Sequence, residues 1–103
     1  MGWAANYIGR LKAGETVQFR PRGNSMTGII ESGQLVTVVP IHPDDPVAKG
    51  DVVLCKVHGA EYLHIVKAER NGVYQIGNNR GGINGWTARA NLFGKYIGKE
   101  LDQ

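Results

Sequence analysis

A chain of 103 residues has the usual size of one domain, and its apolar content is sufficient for a packed core. The formal net charge of +3 is small and the Lys and Arg residues are scattered, so a nucleic-acid partner is not indicated. The single cysteine, Cys55, excludes an internal disulfide and is expected to be buried, and no Cys/His spacing suits zinc. We therefore expect no metal and no other cofactor.

No signal peptide and no long apolar span is found in the sequence. This predicts a soluble, cytoplasmic protein that does not insert into a membrane. The oligomeric state is left open, a homodimer included.

Residues 1–14 are predicted to form a short amphipathic helix that ends at Gly14. One side of this helix carries four apolar residues, Trp3, Tyr7, Ile8 and Leu11. We interpret that side as cover for the core; the alternative is a surface that binds a partner.

The rest of the chain reads as strands separated by turns. The 15 glycines indicate many turns, and His58-Gly59 and Asn71-Gly72 are predicted hairpin turns. Residues 77–86 contain so many Gly and Asn that they are predicted to be a loop, of a length that often carries function. The predicted strands are residues 16–20, 34–41, 52–57, 60–69, 73–76 and 92–98. Residues 1–103 are thus expected to form one mostly β domain, a compact antiparallel β fold with one or two short helices.

Ser25 is the first candidate for chemistry. It follows a Gly-Asn turn and precedes Met26 and a short apolar segment that reads as a helical turn. A serine at such a bend directs its hydroxyl outward and has free backbone N–H groups beside it, which suits a nucleophile with an oxyanion site. The alternative is that Ser25 caps a helix, the commoner use of serine at this position.

A serine nucleophile needs a base, and His64 is the best-placed histidine. It lies in the middle of a predicted strand, on the same face as Tyr62 and Val66, whereas Lys67 falls on the other face unless the strand contains a bulge. The alternative is a structural, half-buried strand histidine.

Five motifs in order resemble the LexA and type I signal peptidase superfamily. They are Gly23-Asn24-Ser25-Met26, the spaced motif Ile30-x-x-Gly33-x-x-Val36, Lys49-Gly50-Asp51-Val52-Val53, Tyr62-Leu63-His64-Ile65-Val66 and Gly77-Asn78-Asn79. In that superfamily a Ser-Met box carries the nucleophile, and the base follows on a later strand. The resemblance implies a β-rich serine peptidase fold in which Ser25 is the nucleophile and His64 the base, as in the members that use histidine rather than lysine.

The resemblance is incomplete at the orienting residue. Where the family has Gly-Asp-Asn this sequence has Gly77-Asn78-Asn79, so Asn78, Asn79 or Asn84 is expected to orient the imidazole. Asn24 and Met26 flank the expected oxyanion site, and Gly23 lacks the hydroxyl that some members place there.

Two functions are therefore weighed from the sequence. One is a soluble Ser-His peptidase that cleaves a protein or peptide substrate, or itself in trans. The other is a catalytically inactive domain of the same fold that binds a protein partner. The family's self-cleaving members cut at a small residue followed by Gly; Ala13-Gly14 has that chemistry but is interpreted as a helix end.

Overall fold

Seven antiparallel strands form a single sheet in the computed structural model, which describes residues 2–98. Helix α1 spans Ala5–Lys12, and one turn of 3-10 helix spans Arg89–Asn91. The strands are β1 Val17–Phe19, β2 Val36–Pro40, β3 Val52–Val57, β4 Ala60–Arg70, β5 Val73–Gly77, β6 Ile83–Ala88 and β7 Leu92–Tyr96, in the sheet order β1-β2-β7-β3-β4-β5-β6. The predicted mostly β fold is confirmed.

The sheet buries side chains on both of its faces. Along β3, Val52 and Leu54 belong to one core cluster, which also contains Ile8 and Leu11 of α1. The alternate residues of β3, among them Val53, belong to a second cluster on the opposite face. Helix α1 therefore covers one face of the sheet with Ile8 and Leu11, as predicted.

The end of α1 is a Schellman motif. Gly14, at φ 91°, donates its N–H to the Leu11 carbonyl, and Glu15 donates its N–H to the Arg10 carbonyl, both at 2.9 Å. The interpretation of Ala13-Gly14 as a helix end is confirmed, because the Gly14 conformation is the left-handed one that this motif requires.

Both predicted hairpin turns are present. His58-Gly59 and Asn71-Gly72 have positive φ at both positions, the combination found in two-residue type I′ turns. The first turn joins β3 to β4, so that Val53 lies opposite His64 in the register.

The prediction that residues 77–86 form one loop is wrong. Strand β6 begins at Ile83 and pairs with β5, so that Tyr74 lies opposite Thr87. Because β6 is an edge strand with Ile83 and Trp86 exposed, its sequence lacks the apolar alternation of a buried strand. Gly85 has φ 136°, a conformation that most residues avoid, so the glycine that suggested a loop serves inside the strand.

Candidate active site

Ser25 lies in the connection between β1 and β2, in a series of turns rather than in a helix. The turns are closed by hydrogen bonds from the Thr27 N–H to the Asn24 carbonyl at 3.3 Å and from the Ile30 N–H to the Met26 carbonyl at 2.8 Å. The side chains of Met26 and Ile30 are buried in the core cluster that packs under α1. These two residues anchor the turns that directly follow Ser25, which itself is half-buried.

The Ser25 hydroxyl lies 3.1 Å from Nε2 of His64. His64 is in the centre of β4 and is only 8% exposed, so the sheet holds its ring in place. The distance is within hydrogen-bond reach of a nucleophile and its base. The alternative of Ser25 as a helix cap is therefore wrong: its side chain bonds to a histidine, and no helix follows it.

The other ring nitrogen of His64 is held by Asn84. Nδ1 of His64 lies 2.7 Å from Oδ1 of Asn84, which projects from β6. A carbonyl oxygen accepts hydrogen bonds, so Nδ1 carries the hydrogen and Nε2 presents a lone pair. Ser25 then donates its O–H to Nε2, and the ring is in the tautomer that a general base requires.

Of the three asparagines predicted as orienting residues, Asn84 alone bonds to the imidazole. Asn78 instead accepts the N–H groups of Arg80 and Gly82 through its side-chain oxygen, each at 2.8 Å, and thereby closes the turn before β6. Asn79 donates its backbone N–H to the Ser25 carbonyl and its side-chain N–H to the Thr27 carbonyl, both at 2.8 Å. The Gly-Asn-Asn motif thus ties the Ser25 turn to the turn between β5 and β6.

At the position predicted for an oxyanion site, the unpaired donors are backbone N–H groups. Within residues 2–98, neither the Ser25 N–H nor the Met26 N–H has a hydrogen-bond partner. The Asn24 side chain is exposed, and the Asn24 carbonyl accepts both the N–H and the hydroxyl of Thr27. Asn24 therefore shapes the turn, while the two unpaired N–H groups are the donors available to an oxyanion.

Burial lowers the pKa of His64 below its usual value, and the charge of Lys67 lowers it further, whereas the Asn84 hydrogen bond opposes both. The pairing of β4 with β5 shifts register between Val66 and Ala68, so Lys67 lies in a bulge. The prediction that Lys67 lies on the opposite face from His64 assumed a strand without such a bulge. Tyr62 stacks on the His64 ring, with centroids 4.9 Å apart. The lowered pKa favours the neutral imidazole, and the ring is held on its face by Tyr62 and at its two nitrogens by Ser25 and Asn84.

A cleft of about 650 Å³ opens beside Ser25 and His64. Its walls include Tyr7, Phe19 and Leu63, together with Trp3, which is 52% exposed. The chain segment before α1 is attached to β4, because the Glu61 carboxylate accepts the Ala4 N–H at 2.7 Å and the Glu61 carbonyl accepts the Trp3 indole N–H at 3.2 Å.

The N-terminal segment therefore lines the candidate site as well as covering the core. Sequence reasoning missed this role of Trp3 and Tyr7, and also the role of Tyr62. The spacing of Tyr62 two positions before His64 was an available signal for the ring stack, because such residues share one face of a strand.

Comparison with known proteins found no matching family model, no matching curated protein and no matching solved structure. In residues 2–98, no group of three His, Cys, Asp or Glu side chains could hold a metal ion. No helix in the same range has the length and apolar character needed to cross a membrane.

Proposed function

We propose that this protein is a serine hydrolase that cleaves peptide bonds, with Ser25 as nucleophile, His64 as general base and Asn84 as the residue that orients the base. The observation that carries the proposal is the continuous hydrogen-bonded series Ser25 Oγ, His64 Nε2, His64 Nδ1 and Asn84 Oδ1, with distances of 3.1 and 2.7 Å. Ser25 and His64 both line the cleft, so a carbonyl group bound there would lie near the hydroxyl and its base.

In the acylation step, Ser25 Oγ attacks the carbonyl carbon of the peptide bond while Nε2 of His64 takes the hydroxyl proton. The N–H groups of Ser25 and Met26 stabilise the resulting oxyanion. The C–N bond then breaks, and the imidazolium gives its proton to the leaving amine, which produces an ester between Ser25 and the acyl half of the substrate.

In the deacylation step, a water molecule loses a proton to Nε2 of His64 and attacks the ester carbonyl. Collapse of this second tetrahedral intermediate releases a carboxylic acid and returns the proton to Ser25. Asn84 accepts a hydrogen bond from Nδ1–H in both steps and takes no proton. Its amide oxygen stabilises the imidazolium less than a carboxylate would.

The sequence resemblance to the LexA and signal peptidase superfamily supports the same assignment, since its Ser-Met box and strand base correspond to Ser25 and His64. The substrate is proposed to be a separate protein or peptide. The candidate bond in this chain, Ala13-Gly14, lies in the hydrogen-bonded cap of α1 and would have to be unwound before cleavage.

A fluorophosphonate reagent tests the proposal without knowledge of the substrate, because it phosphonylates an activated serine. Mass spectrometry should find one label, on Ser25, in the wild-type protein and none in Ser25→Ala. His64→Ala should be labelled at least 100-fold more slowly than the wild-type protein, because a general base contributes about 10²- to 10⁴-fold to the rate.

Ser32→Ala is the matched control, because Ser32 is the other serine of the chain and its hydroxyl accepts the Gly23 N–H rather than facing a base. This variant should keep the Ser25 label. Absence of label in a folded wild-type protein would contradict the peptidase.

The second candidate is a domain of this fold that binds a protein partner without catalysis. It is favoured by one observation, the neutral Asn84 where a carboxylate would assist catalysis more. Unchanged function in both Ser25→Ala and His64→Ala, with no fluorophosphonate label, would support it.

A further inference from the structure

The cleft beside Ser25 is much larger than a small side chain requires. Its volume of about 650 Å³ is in the range of sites that enclose whole ligands, roughly 300–1,000 Å³. Its wall next to the Ser25 turn is formed by the side chains of Phe19, Met26, Ile30 and Leu63, all buried in the core cluster under α1. The exposed part of the wall is aromatic, because Trp3 is 52% exposed and Tyr7 is half-buried. A methyl group placed there would leave most of this aromatic surface in contact with water, whereas a Leu or aromatic side chain would cover it.

The aromatic side chains of the wall pack against one another. Tyr7 stacks on Phe19 with centroids 4.4 Å apart, and Trp3 packs against the same ring at 5.7 Å. The indole N–H of Trp3 is already bonded to the Glu61 carbonyl, so the exposed part of Trp3 that faces the cleft is its apolar ring surface. Offset or tilted packing against such rings favours another aromatic or a branched apolar side chain.

The charged side chains that line the cleft differ in whether they already have a hydrogen-bond partner. The Glu31 carboxylate accepts the Gly28 N–H at 2.9 Å, and the Glu61 carboxylate accepts the Ala4 N–H. Arg20 and Arg22 also line the cleft and are exposed, and neither takes part in the ion pairs found within residues 2–98, which are Arg10–Glu15 and Lys95–Asp51. Arg20 donates to the Gly33 carbonyl at 2.9 Å, whereas the Arg22 guanidinium has no hydrogen bond or ion pair within residues 2–98. Arg22 is therefore the cation of the cleft that is free to pair with a ligand carboxylate.

We propose that this cleft binds a peptide segment with a bulky apolar or aromatic side chain beside the bond to be cleaved and an acidic side chain within reach of Arg22. This inference rests on the proposed function, because it assigns the cleft to the substrate of the Ser25–His64 pair. The apolar side chain contacts the wall of Phe19 and Trp3, and the carboxylate pairs with the guanidinium.

Binding is measured with full-length Ser25→Ala, which cannot form the acyl-enzyme. Fluorescence anisotropy is recorded with blocked, dye-labelled hexapeptides that carry Phe, Leu or Ala at one central position and Asp or Lys at a neighbouring position. The Phe and Leu peptides with Asp should bind at least tenfold more tightly than the Ala peptide with Asp. Replacing Asp by Lys should weaken binding about fivefold, and the effect should diminish at high salt because the pair is exposed.

Two further substitutions in the Ser25→Ala background locate the contacts. Arg22→Glu should reverse the preference for Asp over Lys, while Lys49→Glu, an equal charge change at an exposed residue outside the cleft wall, should leave it unchanged. Trp3→Ala, at a residue that is 52% exposed, should reduce the preference for Phe over Ala about threefold or more.

Failure of this inference is distinguishable from failure of the proposed function. Equal affinity for Phe, Leu and Ala peptides, or a preference for Lys that Arg22→Glu does not alter, would overturn the inference even if wild-type Ser25 reacts with fluorophosphonate. Selective binding without any cleavage of the same peptides by the wild-type protein would retain the binding assignment and overturn the peptidase.

Discussion

Substitution of Asn84 by Asp provides the most direct test of the proposed base. Asn84 Oδ1 lies 2.7 Å from Nδ1 of His64, so the change keeps the accepting oxygen in place and adds a negative charge. A hydrogen bond to a charged group contributes about 1.5–3 kcal/mol, compared with about 0.5–1.5 kcal/mol for a neutral pair. The imidazolium that forms during acylation should therefore be stabilised by about 1 kcal/mol more, which corresponds to a roughly fivefold higher kcat/KM.

The same substitution should change the pH dependence in a defined direction. Burial holds the pKa of His64 below its usual value, and a neighbouring carboxylate favours the charged ring. The pKa of His64 in Asn84→Asp should rise, and the acidic limb of the kcat/KM profile should move to higher pH with it. Nuclear magnetic resonance of the labelled imidazole measures this pKa independently of any substrate.

Asn84→Ala gives the opposite perturbation. It leaves the Nδ1 hydrogen without its acceptor at a buried position, at a cost of about 1–3 kcal/mol, and it no longer favours one tautomer. We expect a loss of about 10- to 100-fold in kcat/KM. Asn78→Asp is the matched control, because Asn78 bonds to backbone N–H groups of its own turn and not to the imidazole.

An unchanged pKa of His64 in Asn84→Asp, together with wild-type behaviour of Asn84→Ala, would refute the assignment of Asn84 as the orienting residue. An equal pKa shift in Asn78→Asp would show that the general charge of this region, rather than the hydrogen bond, sets the pKa.

Three further predictions concern stability and reactivity. Because the pKa of His64 is lower in the folded protein than its usual value of about 6.5, protons bind preferentially to the unfolded chain; the unfolding free energy from urea titrations should fall as pH drops below about 6.5, and less steeply in His64→Gln. Met26→Ala removes a buried side chain beneath the Ser25 turn and should lower the unfolding free energy measured in urea by about 2–5 kcal/mol. An unchanged unfolding free energy would contradict the role of Met26 as an anchor. Burial raises the pKa of the Cys55 thiol to about 12, so an aromatic disulfide reagent should react with it only after urea unfolds the protein, and fast reaction of the folded protein would disprove its burial.

Features encoded by neighbouring residues could be predicted from the sequence. The Asn71-Gly72 turn requires positive φ at adjacent positions, and period-2 alternation correctly separates His64 from Leu63, which packs under α1. Ser25 and His64 were found as a pair through a resemblance in motif order, and the structure brings their side chains within hydrogen-bond distance. That proximity depends on the sheet register, because a one-residue slip of β4 would move His64 to the opposite face of the sheet.

Other features depended on contacts between distant parts of the chain. Strand β6 forms because an edge strand needs only backbone pairing on one side, so its polar, glycine-containing sequence gives no strand signal. Only this pairing carries Asn84 to His64 and leaves Asn78 and Asn79 at the adjoining turn. Likewise, the position of Trp3 at the cleft follows from its bond to Glu61 on β4.

The sequence by itself therefore determined the mostly β fold, the hairpin turns and the pair of residues proposed for chemistry, since each depends on local periodicity, turn geometry or motif order. Only the tertiary structure decided which asparagine orients the imidazole, how Lys67 approaches it and what lines the cleft. The physical reason is that a hydrogen bond or a stacked ring requires side chains to meet within a few ångströms, and strand order and register set that meeting across long stretches of chain.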